Sequence, residues 1–545
     1  MTGQRTLFAN GRILTGEALL TPTPRMVEAL LVDDGVIVAA GSVKELRAMG
    51  NAESVDLAGA FCMPGFNDAH LHLGEGARLQ REIDLRGTRS LTEALGRIEA
   101  WVKDRRGEHA TLGSSDTSLR NLWISGGGWD ETLWAERRLP TREDLDRVTG
   151  DRPAVFVRTD VHVSVANSAA LGAAGVHRGT VAPAGSAIDR DASGEPTGIL
   201  REKPARELVE RLLPPTTQAT REQSLRDVMA AACAHGITSV QDNSIDADVA
   251  ALHALHARGE LPLRVSEWLP FDASVAELRE RQQASPQDRF LRTGMLKAFL
   301  DGSLGSRTAA LREPYSDAPK AEGIAFYEQE ALQTLARERA EAGFQLGFHA
   351  IGDRAFSMAL AAFSACGEAG GGSRRYRVEH AQVAIADAYE QMRGLGAIAS
   401  IQPCHLLSDT AWAFERIGPE RAPHAYAWRR FLESGVTLAF GTDFPVEPID
   451  PFRNLYAAVF PEEGPAAAFP YRRLSLAQAL HAYTWGSAFA EGAEDWKGLL
   501  APGFVADFIV LDRDLTACAD DAAAIRDTRV LRTFVNGRTV YASQG

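Results

Sequence analysis

Cysteine is scarce in this chain: five in 545 residues, at Cys62, Cys233, Cys366, Cys404 and Cys518, an odd number with no C-x-x-C spacing. That excludes a disulfide framework and the paired-cysteine zinc or redox motifs. No stretch approaches the roughly eighteen uninterrupted apolar residues of a membrane-spanning helix, and the start, Met1-Thr-Gly-Gln-Arg-Thr-Leu-Phe-Ala-Asn10, lacks the apolar core of a secretory signal. The expectation is a soluble, cytoplasmic protein. Positive charge is short as well: 58 Lys and Arg against 72 Asp and Glu leave a net charge of -14 and no basic stripe. Nucleic acid and anionic membrane are therefore poor partners, and a small-molecule substrate is expected. Phosphate-cradling loops are missing too, since Ser114-Ser-Asp-Thr-Ser118 and Gly126-Gly-Gly128 have neither Walker nor dinucleotide spacing and read as loops.

What is present is an alternation of short apolar strands with helical patterns, as where Gln223 to Ala234 gives way across Gly236 to Ile237-Thr-Ser-Val-Gln-Asp242. Candidate strands recur at 263–269, 294–300, 344–350, 376–381, 397–403 and 437–444. With one before His70 and one at Val240 they make eight, which predicts an α/β chain built on a (β/α)8 TIM-like barrel. Leu7-Phe-Ala-Asn-Gly-Arg-Ile-Leu14 and Phe534-Val-Asn-Gly-Arg-Thr-Val-Tyr541 each carry the Asn-Gly hairpin signal. Residues 1–58 and 497–545 are thus expected to form a small composite β-sandwich from both termini, with the barrel over 59–496. The interval 75–220 is too long for one connection and contains a strand of its own, Ala154 to Val163, so it reads as an inserted subdomain over the barrel mouth.

His70 and His72 lie two residues apart after the apolar run Ala60-Phe-Cys-Met-Pro-Gly65. On a strand such residues point the same way, which suits a metal ion and equally suits two ordinary histidines sharing a face. More ligand types sit at expected strand ends: Lys297, His349, His380 and Asp443. Carboxyl ends of barrel strands are where barrel enzymes keep catalytic groups, and four imidazoles plus an aspartate in that order favour function over coincidence.

These motifs resemble the amidohydrolase superfamily, and within it the amidohydrolase 3 (YtcJ-like) metal-dependent hydrolases, similar to N-substituted formamide deformylases. The resemblance rests on Pro64-Gly-Phe-Asn-Asp-Ala-His-Leu-His72, Lys297-Ala-Phe-Leu-Asp-Gly-Ser-Leu-Gly-Ser-Arg-Thr-Ala309, the His349 and His380 segments, Gly441-Thr-Asp-Phe-Pro445 and Gly498 to Leu511. Within the insertion it also covers Asp160 to Leu171 and Gly194 to Glu202. It implies two divalent metal ions, zinc first among the candidates: His70, His72 and Asp443 on one, His349 and His380 on the other. Lys297, carboxylated by carbon dioxide to a carbamate, would bridge them. A metal-bridging hydroxide would attack an amide, formamide or cyclic amide, with Asp443 as general base and then acid. Two alternatives keep the barrel: a one-metal deaminase using His70, His72, one later histidine and Asp443, and a metal-dependent isomerase or lyase. A metal-free binding protein is the reading from another class.

Three further residues are candidates for substrate binding. Arg307 suits a carboxylate clamp or an oxyanion contact, and equally a salt bridge that orders its loop. His162 could contact substrate from the insertion or cap a strand there, and His405 lies with Gln402 and Cys404 past the seventh strand. Glu379, Asp301 and Asp353 flank proposed ligands and read as groups that support them. Cys404 reads as a buried small residue, and His481 as helix packing. Helices outside such a barrel commonly form dimer surfaces, so a homodimer is compatible with the sequence.

Overall fold

In a computed structural model that describes residues 5–544 apart from 22, 80–81, 111–122, 215, 244–245, 368–374 and 461–464, eight strands lie side by side in one sheet. They are β1 (Phe66–Leu71), β2 (Ile237–Asp242), β3 (Arg264–Pro270), β4 (Leu291–Phe299), β5 (Leu346–Ala350), β6 (Arg377–His380), β7 (Ile398–Ile401) and β8 (Leu438–Phe440). Each neighbouring pair runs parallel in chain order. Most are buried along their whole length, as strands covered by helices on one side and filled on the other must be. Two of the helices between them are started by side chains that satisfy free amides. Thr217 accepts from Thr220 N–H before Gln218–Ala234, and Ser274 makes a reciprocal capping box with Glu277 before Val275–Ala284.

The seam between β1 and β8 closes the barrel, and site residues close it. The Asp443 N–H donates to the His70 carbonyl at 2.7 Å, and the His72 N–H to the Phe444 carbonyl at 2.8 Å. The buried Asp68 carboxylate accepts from the Thr442 N–H at 2.9 Å and from its hydroxyl at 2.7 Å. Gly441 permits this approach, because a Cβ there would lie 2.5 Å from the His70 nitrogen.

Both termini build the small β-domain. One sheet orders Val36–Gly41, Ala29–Asp33, Arg5–Ala9 and Glu53–Asp56; the other orders Arg538–Ala542, Val530–Val535, Phe508–Leu511, Phe61–Pro64, Arg12–Leu14 and Met26–Val27. Phe8, Leu30, Phe508 and Phe534 pack between them, the last two stacked at 4.5 Å. The insertion forms its own six-stranded sheet with two apolar clusters of its own. No described helix is long and apolar enough to cross a membrane.

Several local readings change. Asn536-Gly537 turns a true hairpin, both residues with positive φ, but Asn10-Gly11 carries the chain from one terminal sheet to the other. The dipeptide is the same in both, but Gly11 lacks the positive φ of Gly537, and the residues after it find a different partner strand. Phe61–Pro64 pairs with Phe508–Leu511 in the terminal sheet, so the first barrel strand begins at Phe66, after Gly65. Ala154 to Val163 is not one strand: Ala154–Arg158 and Val163–Ala166 pair antiparallel around a turn that holds His162. Gly126 and Gly127 lie inside strand Ile124–Trp129 and not in a loop; a Cβ on either would come within 2.4 and 2.7 Å of the carbonyls of Ile83 and Val157. The run Ser114 to Ser118 lies outside the described residues.

Gly441→Ala should cost about 1–3 kcal/mol by overpacking the seam. Denaturant unfolding measures it, and an unchanged midpoint would show that the seam tolerates the methyl.

Candidate metal centre

The chain ends of the barrel strands deliver the expected residues to one mouth. His70 ends β1 and is 1% exposed. Its Nδ1 lies 2.7 Å from the Glu379 carboxylate, so this nitrogen carries the proton and Nε2 keeps a lone pair. Glu379 is itself gripped by Arg377 at 2.7 Å, and burial, which would raise its carboxyl, loses to Arg377 and His70, which hold it at about 2. Arg377 also donates to the Ala69 carbonyl and the Ser400 hydroxyl, so the orientation of His70 is set from inside the barrel.

Asp443, past β8, sits at the centre. Its Oδ1 is 3.1 Å from His72 Nε2 and 3.5 Å from His70 Nε2, and its Oδ2 is 3.3 Å from His405 Nε2. Burial works to raise its carboxyl, but His70, His405 and His72 keep it well below the usual carboxylate range. Asp443 and His380 both hold left-handed backbone, φ 57° and 70°, a strain typical of functional positions.

Two sets of donors could each hold a cation, their ligand atoms within 4.8 Å of one another: His70, His72 and Asp443, and His380, His405 and Asp443. Asp443 belongs to both. His349 packs on His380 at 4.4 Å between ring centroids, with its Nε2 3.0 Å from the Gly302 carbonyl. Donation from Nε2 leaves Nδ1 as its lone-pair nitrogen. The structure thus brings His405, read from sequence as a substrate contact, into the group where the resemblance put His349.

Lys297, on β4, is 4% exposed, and its Nζ lies 3.3 Å from His70 Nε2, between the faces of Trp268 and Phe299. Burial pulls its ammonium down to about 8 against the pull of Glu379 and Asp443. Burial lowers the imidazoles too: His70 to about 4, helped by Lys297, and His349 and His380 well below the normal range. Neutral His70, His349 and His380, an ionised Asp443 and a buried His380 Nδ1 with no hydrogen-bond partner are donors that fit divalent metal.

The insertion reaches this mouth through His162. Its ring lies 5.6 Å from that of His349, and its Nδ1 is 2.8 Å from Glu202, which overcomes burial and lifts the imidazole to about 9. Asp160 ties the same turn to the barrel by accepting from the Ser303 hydroxyl at 2.6 Å. Sequence reasoning missed Glu202 and Asp160 as working groups, because nothing in spacing sets a residue forty positions downstream beside a histidine. Arg307 belongs to neither donor group and is paired with Asp317 at 2.6 Å. Cys404 is fully buried, and burial pushes its thiol well above the normal range, which suits packing and not nucleophilic attack.

Comparison with known proteins decides the family. The model of the amidohydrolase family described as Amidohydro_3 matches residues 53–541. The chain belongs to the amidohydrolase family. The amidohydrolase YtcJ of Bacillus subtilis (strain 168) is 34% identical over 527 residues, 94% of this chain and 96% of its own. The N-substituted formamide deformylase of Arthrobacter pascens is 29% identical over 537 residues, 95% of both chains. Among solved structures, an uncharacterized metal-dependent hydrolase from Pyrococcus horikoshii OT3 superposes with a TM-score of 0.74 at 31% identity, covering 94% of this chain and 98% of that one. Membership makes this amidohydrolase a hydrolase of carbon–nitrogen bonds in a metal-dependent family, and its two His and Asp groups could hold such a metal.

Glu379→Gln should weaken metal binding by about 10–100-fold, since an amide cannot hold His70 as an ionised carboxylate does; a chelator competition titration reads it. The metal-free protein should lose stability as pH falls from about 6.5 towards 4, because His70, His349 and His380 stay neutral when folded and take up protons when unfolded. His405, raised to about 9 once Asp443 outweighs burial, acts oppositely: its contribution is full below about 6.5 and is lost as pH rises through 9. Denaturant midpoints across pH in chelator check both, and His380→Asn should flatten the acid limb.

Proposed function

We propose that this amidohydrolase hydrolyses the amide, formamide or cyclic amide bond of a small molecule at a binuclear zinc centre. The observation that carries the reading is the convergence of His70, His72, His380, His405 and Lys297 around one shared carboxylate, Asp443. Bound metals would supply an activated water at neutral pH and polarise the scissile carbonyl.

The protein's own groups do the rest. Asp443 is ionised and accepts a proton from the attacking water, then gives it to the leaving nitrogen, so the amine departs neutral. Glu379 and Arg377 keep the His70 Nε2 lone pair facing the centre. With an ammonium near 8, Lys297 has a sizeable neutral fraction, and a neutral amine adds carbon dioxide to give a carbamate with loss of one proton. The carbamate's two oxygens would each serve one metal, and they replace a positive charge that would repel both. His162, whose ring lies 5.6 Å from that of His349, would contact substrate from the insertion. The likeness to the Arthrobacter pascens formamide deformylase supports N-substituted formamides as the first compounds to assay. A one-metal deaminase would leave no work for a lysine 3.3 Å from a ligand nitrogen.

Amine release from N-formyl and N-acyl amines tests the reaction, and a panel giving only epimerised or enol products would overturn it. Asp443→Asn should lower kcat by about 10²–10⁴-fold. Lys297→Ala should lose both metal and turnover, with partial return on adding a short carboxylate; full activity of Lys297→Ala would remove the bridge from the account.

A further inference from the structure

The turn that carries His162 is held in a conformation its residues avoid. Val161 has φ 54°, left-handed backbone that a β-branched residue rarely adopts. Glu202, beside it, has φ 67° and ψ 157°, a region kept almost wholly for glycine. Such backbone costs free energy and persists only where its surroundings over-determine it, most often at functional sites. Here they do so residue by residue. Asp160 accepts from the hydroxyls of Ser303 and Ser306 on the barrel loop, the Val161 carbonyl accepts from Arg206, and the His162 carbonyl accepts from the Glu202 N–H at 2.7 Å. Glu202 takes the ring as well, its Oε2 accepting from His162 Nδ1 at 2.8 Å.

The local fold does not ask for a carboxylate at this position. Glu202 stands at the N-cap of helix Lys203–Glu210, yet its side chain makes no capping bond and reaches His162 instead. It is 2% exposed and its buried Oε1 has no hydrogen-bond partner, a cost with no return in stability. Gly302 makes the room for it, since a Cβ there would lie 2.5 Å from that Oε1. Gly302 also gives its carbonyl to His349 Nε2 at 3.0 Å. Glu202 is thus wedged against the loop that orients His349 while it grips a ring 5.6 Å from that of His349. With Nδ1 committed to Glu202, Nε2 is the His162 nitrogen left for a further partner, and 12% of the side chain stays open.

We propose that Glu202 is a positioning residue that aims His162 Nε2 at the scissile amide, so that the insertion completes the reaction site. This rests on the amide-hydrolase reading above. The test is a double-mutant cycle on the metal-loaded enzyme with the N-formyl or N-acyl amine it cleaves fastest. Glu202→Met, which keeps the bulk and removes the acceptor, should lower kcat by about 10–100-fold with KM changed less. Glu202→Gln, which keeps an acceptor without the charge, should fall between Glu202→Met and wild type. In a His162→Gln background either change should cost less than about twofold, because the ring to be aimed is gone. A larger loss in that background, or single variants equal to wild type, overturns the role; should Glu202→Met not fold, Glu202→Gln decides by the same two outcomes. If no such amide is cleaved, the hydrolase reading fails, and the grip on His162 is judged by proton NMR of zinc-loaded protein with isotope-labelled histidine. The hydrogen-bonded Nδ1–H signal that is lost in His162→Gln must vanish in Glu202→Met and shift in Glu202→Gln. Its absence from the wild type, or its survival unshifted in the Glu202 variants, overturns the positioning.

Discussion

The barrel mouth depends on one constraint: titratable groups that prefer water are gathered where water is excluded. His70, His349, His380, Lys297 and Asp443 are all buried, and burial disfavours the cationic forms of the three imidazoles and the amine together. An apolar core would avoid the conflict. Here it resolves into neutral imidazoles and an ionised aspartate, the protonation states that a metal ion requires of its ligands. Divalent charge would then satisfy what the protein alone leaves open, including the orphaned His380 Nδ1.

The same residues hold the fold together. Asp443 joins β1 to β8 through its backbone while its carboxylate serves the centre, and His70 gives its carbonyl to the seam and its ring to the site. Barrel closure and ligand geometry are therefore one event, so a ligand residue is displaced only by reopening the sheet. Behind them Arg377 and Glu379 fill the barrel interior with charge. Arg377 is 1% exposed and Glu379 fully buried, and each is tolerated because the other pairs with it.

Much of this was legible in the sequence. Seven of the eight barrel strands announced themselves as short apolar runs between helical patterns, the run before His70 belonging instead to the terminal sheet, and His70, His72, Lys297, His349, His380 and Asp443 stood at strand ends because barrel chemistry is placed there. Periodicity cannot say which sheet a strand joins, so Phe61–Pro64 reads correctly as a strand and wrongly as a barrel strand, and the hairpin expected at Asn10-Gly11 is not formed. Nor can it see a tight turn within a β-prone run, as around His162. The contribution of His405 to the second donor group depends on ring packing over His380 at 5.6 Å, and Glu202 on a contact forty residues long; neither leaves a mark in spacing.

The most direct test of the centre is anomalous diffraction at the zinc edge from crystals of the metal-loaded protein. The account predicts two peaks, one about 2.0–2.2 Å from His70 Nε2, His72 Nε2 and an Asp443 oxygen, the other on His380 with His405 or His349. Anomalous density elsewhere, or none at this mouth in crystals of fully active enzyme, would contradict it.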